Sequence, residues 1–256
     1  MKLIDTHCHL NDQALYQDLD NVISRALQTG IEKMVVIGWD KESSETAIKI
    51  AEQYPFIYAC VGFHPENLDG VDEKTLYEVL NLSKHPKVVG IGEIGLDYHW
   101  EKDPAKREIQ KEFFIKQIEY ANENGLPISI HSREAFQDTL EILKNHRPQH
   151  GGVMHCYSGS VENINDIINL NLYIGLDGPV TFRNAKTPKE VAAEVPLERL
   201  VLETDCPYLS PHPLRGTVNE PANLILIADE IANIREMSKK HLIEVVYENS
   251  CKLFNL

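Results

Sequence analysis

Short runs of β-branched and aliphatic residues recur along this chain with amphipathic stretches between them, and that alternation restricts the fold more than any other feature. Eight such runs are present: Leu3–His7, Lys33–Gly38, Phe56–Val61, Val88–Glu93, Pro127–His131, Gly152–His155, Leu172–Leu176 and Arg199–Glu203. Their near-continuous apolarity suits strands covered on both faces, as in a parallel sheet flanked by helices. Helical patterning falls between them at Asp18–Thr29, Ser43–Gln53, Lys74–Ser83, Pro104–Asn124, Glu134–Asn145 and Val161–Leu170. Gly30 and Gly125 stand where helices would end, and Pro104 stands where one would begin. Two more helical patterns, Pro221–Ile234 and Ser238–Phe254, follow the last run. Consecutive βα units in this number predict an α/β fold, a (β/α)8 TIM barrel forming a single domain over residues 1–256 with extra C-terminal helices.

Composition narrows the function classes. A net charge of −14 argues against a protein that coats nucleic acid through a broad basic face, because sequence-independent affinity comes mainly from Lys and Arg displacing counterions. Any nucleic acid would be held weakly and locally. No apolar run approaches the roughly 20 residues that cross a bilayer, so no membrane association is expected. The five cysteines are an odd number without a CxxC pair, which argues against a disulfide framework or zinc ribbon. The first residues lack the charged, apolar and small-residue segments of a secretory leader, so a cytoplasmic protein starting near Met1 is expected.

The unusual polar residues gather at the ends of the runs. His7 and His9 close the first, Glu93 the fourth, His131 the fifth, His155 the sixth, and Asp205 follows the eighth. In a barrel these ends share one face, where enzymes of this architecture keep their active sites. His7 and His9, two apart on an extended segment, leave the same face. Four imidazoles and two carboxylates form a nitrogen-and-oxygen set suited to divalent zinc, manganese, nickel, iron or magnesium. Six such groups exceed the usual three protein ligands of one catalytic zinc, and Glu93 could bridge two ions.

Beyond their spacing, the segments Asp5-Thr6-His7-Cys8-His9-Leu10, Gly92-Glu93-Ile94-Gly95-Leu96-Asp97-Tyr98, His131-Ser132-Arg133, His155-Cys156-Tyr157-Ser158-Gly159 and Glu203-Thr204-Asp205-Cys206-Pro207-Tyr208-Leu209 resemble the successive signatures of TatD-type deoxyribonucleases. That family sits within the amidohydrolase-like barrels. Many relatives there use a carboxylated lysine at the fourth strand, whereas this chain has Glu93 and keeps the first-strand His pair, resembling the YcfH-like branch. The resemblance implies a metal-dependent hydrolase of ester bonds, with one metal held by His7, His9, Glu93 and Asp205 and the other by Glu93, His131 and His155. It implies DNA, mainly single-stranded ends, as substrate, with 3′ exonuclease action and no obligate protein partner. A hydrolase of amides, esters or phosphotriesters using the same metals is the alternative.

Around the ligands, Asp205 and Glu93 are the expected catalytic carboxylates. His64 resembles a family position near the scissile phosphate, or else stabilises the turn at Pro65. Glu203 either supports a metal-bound His or forms a salt bridge inside the barrel. Arg133 and Arg215 could grip phosphate, or pair with surface carboxylates. Tyr98, Trp100 and Tyr157 lie just beyond strand ends, where they could stack on nucleobases or pack the loops. Cys8, Cys156 and Cys206 read as small buried apolar residues.

Overall fold

The computed structural model describes residues 2–256. Eight parallel strands lie in sequence order: β1 (Leu3–Cys8), β2 (Ile31–Ile37), β3 (Ile57–Val61), β4 (Val88–Asp97), β5 (Ile128–Arg133), β6 (Gly152–Met154), β7 (Leu172–Leu176) and β8 (Leu200–Leu202). The main helices are α1 (Gln13–Tyr16), α2 (Leu19–Gln28), α3 (Lys41–Gln53), α4 (Glu73–Leu80), α5 (Pro104–Asn124), α6 (Phe136–Asn145), α7 (Ile164–Asn169), α8 (Thr187–Glu194), α9 (Leu224–Ile234) and α10 (Lys239–Phe254). The expected eight-stranded α/β barrel with C-terminal helices is therefore the observed fold. Among the described residues, no helix is long and apolar enough to cross a membrane.

The barrel's seam falls between β1 and β8. There the hydroxyl of Thr6 donates to Leu202 O at 2.9 Å, and just above it Asp205 N donates to His7 O at 2.9 Å and His9 N to Cys206 O at 2.8 Å. Asp5 completes the seam below. Its carboxylate accepts from the backbone N–H of Thr204 at 3.0 Å and from the Thr204 hydroxyl at 2.5 Å.

Alternation along β2 separates two cores. Met34 and Val36 face the shell of helices, whereas Val35 and Ile37 join Cys60, Val153 and Val201 in a second cluster with Leu253 and Phe254 of α10. The last helix thus contributes to packing inside the barrel. Helix starts follow local chemistry: Asp40 caps α3 by accepting from Ser43 N, and Asp103 precedes Pro104 and caps α5. Gly125 ends α5 at φ 72°, a left-handed conformation that glycine adopts without steric cost.

Two boundaries depart from expectation. β4 continues past Glu93 to Asp97, pairing with β5 up to Arg133, so a fourth-strand carboxylate beyond Glu93 also reaches the mouth. α8 lies in a stretch with no expected helix, because only Val191 and Ala192 of its residues are buried and its apolar signal is faint.

Candidate metal centre

Strand ends bring the expected ligands together. Nε2 of His7 and Nε2 of His9 are 3.2 Å apart. Glu93 Oε2 lies 3.4 Å from the first and 3.7 Å from the second, and Asp205 Oδ1 lies 3.7 and 3.3 Å from them. The other Glu93 oxygen, Oε1, faces a separate group: His131 Nδ1 at 2.8 Å, His155 Nε2 at 3.7 Å and His64 Nε2 at 3.6 Å. Glu93 therefore divides its two oxygens between two nests of imidazoles. The rings of His7 and His155 stack between the nests at 3.6 Å.

These donors fit divalent cations. Glu93 and Asp205 are buried, yet neither pairs with a Lys or Arg among the described residues, and their partners are imidazoles. Buried carboxylates of this kind call for a cation. Burial favours protonation of Glu93, but the neighbouring His131, His155 and His7 outweigh it and hold the carboxyl well below its ordinary range. Asp205 is likewise held low, against burial, by His155, His9 and His7.

Each of these candidate ligand imidazoles is anchored through its other nitrogen. His9 Nδ1 donates to Ile37 O at 3.2 Å, His155 Nδ1 to Glu203 Oε1 at 3.1 Å, and His131 Nε2 to Asp97 Oδ2 at 3.0 Å, while His7 Nδ1 pairs with Ser129 Oγ at 3.2 Å. Such partners set the tautomer and aim the remaining lone pair. Glu203 thus supports His155 and also accepts from Cys156 N at 2.5 Å, with no Lys or Arg partner among the described residues. Its ion-pair partner inside the barrel is His155 itself. Room for Glu203 comes from Gly175 on β7, where a Cβ would lie 2.6 Å from either carboxylate oxygen.

His64 differs from the other imidazoles. Its Nδ1 accepts the N–H of Glu66 at 3.2 Å, which leaves the ring proton on Nε2. Burial, with His131 beside it, pushes its pKa down to about 3, so the ring is neutral and presents Nε2–H toward the mouth. In that arrangement it stands as a donor beside Glu93 and His131, with which it also forms a group close enough to hold a metal ion.

Two buried glutamines of α5 hold the loops that carry these groups. Gln117 accepts from Phe63 N at 2.8 Å and donates to Phe63 O at 3.1 Å. Gln110 accepts from Asp97 N at 3.0 Å and donates to Pro65 O at 3.3 Å. Sequence reasoning missed both, along with Asp97 and Asp5. The available signal was a pair of amides two helical turns apart on the apolar face of α5.

The expected substrate contacts separate into two kinds. Tyr98 and Tyr157 are not open to a stacking base: both are buried, with hydroxyls committed to Asp138 at 2.7 Å and to Ser160 O at 2.9 Å. They pack the loops instead, because a phenol buried there needs a fixed acceptor. Arg133 and Arg215 are exposed and make no ion pair among the described residues. Arg133 lies over the Trp100 ring at 5.7 Å and Arg215 over Phe182 at 4.1 Å. Trp39 and Tyr208, not singled out from sequence, stand edge-on to His9 at 5.3 and 6.0 Å. Cys8 and Cys206 are fully buried, as expected of small apolar side chains, and Cys156 is partly exposed.

Comparison with known proteins places the chain among metal-dependent hydrolases. The family model described as TatD related DNase matches residues 4–255. The chain is 46% identical over 255 residues to the metal-dependent hydrolase YabD of Bacillus subtilis, covering 99% of both chains. It is 33% identical over 261 residues to the metal-dependent hydrolase YcfH of Escherichia coli, covering 100% of this chain and 97% of that one. Among solved structures it resembles YjjV, a TatD homologue from Escherichia coli, with a TM-score of 0.93 at 30% identity over 99% of this chain and 98% of the other.

Proposed function

Because the chain belongs to the TatD family of metal-dependent hydrolases, we propose that it is a deoxyribonuclease that hydrolyses phosphodiester bonds at single-stranded DNA ends as a 3′ exonuclease. The observation that carries this reading is Glu93, whose two oxygens face two separate imidazole groups. On this reading His7, His9, Asp205 and Glu93 would hold one divalent cation, and Glu93, His131 and His155 would hold the other. Zinc, manganese, nickel, iron and magnesium all suit such donors.

When bound, paired cations supply Lewis-acid polarisation and a water of lowered pKa. The chain's own groups do the rest. Asp205, held ionised at the mouth, accepts a proton from the attacking water. His64 donates Nε2–H to a phosphate oxygen. Glu203 and Asp97 fix His155 and His131 in orientation. Arg133 and Arg215, free of carboxylate partners among the described residues, supply the forked donors that hold phosphate. In a chain of net charge −14 these are the local contacts to which DNA binding is confined. The five free thiols fit a reducing compartment such as the cytoplasm.

The test uses metal-stripped protein reloaded separately with magnesium, manganese, zinc, nickel or cobalt. Each form is assayed on end-labelled single- and double-stranded DNA, RNA, a small amide, an ester and a phosphotriester. Release of mononucleotides from the 3′ end of single-stranded DNA is expected. Turnover of the amide, ester or phosphotriester at about a hundredfold higher kcat/KM than DNA, roughly 2.7 kcal/mol in transition-state preference, would replace this reading with a small-molecule hydrolase.

A further inference from the structure

We infer that the cleft between the His64 loop and the start of α5 is a nucleobase subsite that prefers bases carrying an exocyclic amino group; that the base is attached to a scissile phosphate rests on the proposed phosphodiesterase reading. The cleft encloses about 480 Å³ and is lined by Pro65, Leu68, Trp100 and Ile109 on its apolar side. It begins one residue after His64. Gln110, in its lining, bonds both Pro65 O and Asp97 N, so the cleft is joined directly to the donor beside the nests and to the carboxylate behind His131.

Trp100 is 65% exposed and Ile109 43% exposed, although both line a concavity next to a candidate catalytic centre. Large apolar side chains left open in such a place mark a binding surface. Arg133, at the end of β5, reaches over the Trp100 ring, so a group held at the mouth and a ring stacked on Trp100 would be neighbours. An indole face stacks on any base.

Charge decides what kind of ring fits. Lys106 is already committed to Asp69 at 2.9 Å and to Glu101 at 3.8 Å. The exposed Glu66 carboxylate, on the cleft's lining, has no hydrogen-bond or ion-pair partner among the described residues. Three carboxylates, Glu66, Asp69 and Glu101, against Lys106 and the Arg133 that reaches over Trp100 leave the cleft negative, which disfavours a phosphate inside it. They accept hydrogen bonds from the amino edge of adenine, cytosine or guanine, whereas thymine presents two carbonyls and one imino donor.

The experiment follows nucleoside binding by fluorescence in a Trp39→Phe background, which leaves Trp100 as the one remaining tryptophan of two. Deoxyadenosine and deoxycytidine should quench it saturably, with thymidine at least about fivefold weaker; Glu66→Ala should abolish that preference while leaving thymidine affinity unchanged. With the metal-loaded protein, Trp100→Ala should raise KM for a dinucleotide about ten- to a hundredfold with kcat little changed, the range expected for one lost stacking contact. A dinucleotide analogue lacking the base should show no such effect. Saturable, amino-selective quenching in a protein that cuts no DNA would sustain the cleft and overturn the phosphodiesterase reading alone. DNA cleavage without saturable quenching, or with a preference that survives Glu66→Ala, would overturn the cleft alone.

Discussion

The backbone N–H of Asp205 donates to the carbonyl of His7 at 2.9 Å, so the hydrogen bond that joins the ends of β1 and β8 also sets two candidate metal ligands side by side. Closure of the barrel and assembly of one ligand nest are thus the same local event. Asp5 lies beneath it and ties β1 to Thr204 through both the backbone and the side chain.

Replacing Glu93 with glutamine keeps the side chain's shape and removes its charge. We expect Glu93→Gln to lose metal from both nests and to lower hydrolysis by about a thousandfold or more, with an unchanged circular dichroism spectrum. Metal analysis beside kinetics checks this. A variant that retained two metals and full activity would refute the bridging role.

Asp5→Ala orphans the Thr204 N–H and hydroxyl, both buried at the seam. Each unsatisfied group costs about 1–3 kcal/mol, so the midpoint of urea denaturation should fall markedly at unchanged slope. A midpoint equal to that of the parent protein would show that the seam does not depend on this carboxylate.

Glu203→Gln should act through His155 rather than through folding. Loss of the carboxylate behind a ligand imidazole weakens metal binding or activity by about 10–100-fold. Competition against a chelator measures the affinity, and the thermal midpoint of the chelated protein serves as the folding control.

Arg133→Ala and Arg215→Ala should each reduce phosphodiester kcat/KM by about ten- to a hundredfold, the value of a charge-assisted contact of roughly 1.5–3 kcal/mol. Neither should alter cleavage of a small uncharged ester, and lysine should rescue only part of the loss. Equal losses on both substrates would assign these arginines to the loops rather than to phosphate.

Metal loading should also appear in thermal stability. At a free concentration a hundred times its Kd, one cation adds about 2.7 kcal/mol to the folded state. For a chain of this size that corresponds to a rise of about 5–10 °C in Tm, reversed by chelation. A Tm indifferent to metal and chelator would count against resident cations.

The barrel was legible because every strand announced itself by its own apolar run, and five of the eight again by the polar residue ending it, as at His131 and Glu93. The ligands were legible for the same reason, since a histidine or carboxylate at the end of an apolar run is conspicuous. What supports them was not. Asp97 sits four residues past Glu93, where only the unforeseen extension of β4 brings it to His131. Gln110 and Gln117 belong to a helix, and nothing local connects them to loops around residues 63 and 97. Tyr98 and Tyr157 misled for the opposite reason: position after a strand says nothing about which way an aromatic ring turns, and both rings turned inward.

β7 supplies no ligand, yet through Gly175 it supplies the space in which Glu203 stands. A methyl group at that position would press on the carboxylate, and through it on His155, while every histidine and acid of the centre stayed in place. A homologous chain bearing Gly175→Ala would therefore carry an intact signature and a displaced ligand, and a search that recognises side chains alone would pass it as functional. In this barrel part of the catalytic inheritance is transmitted as an absence of atoms.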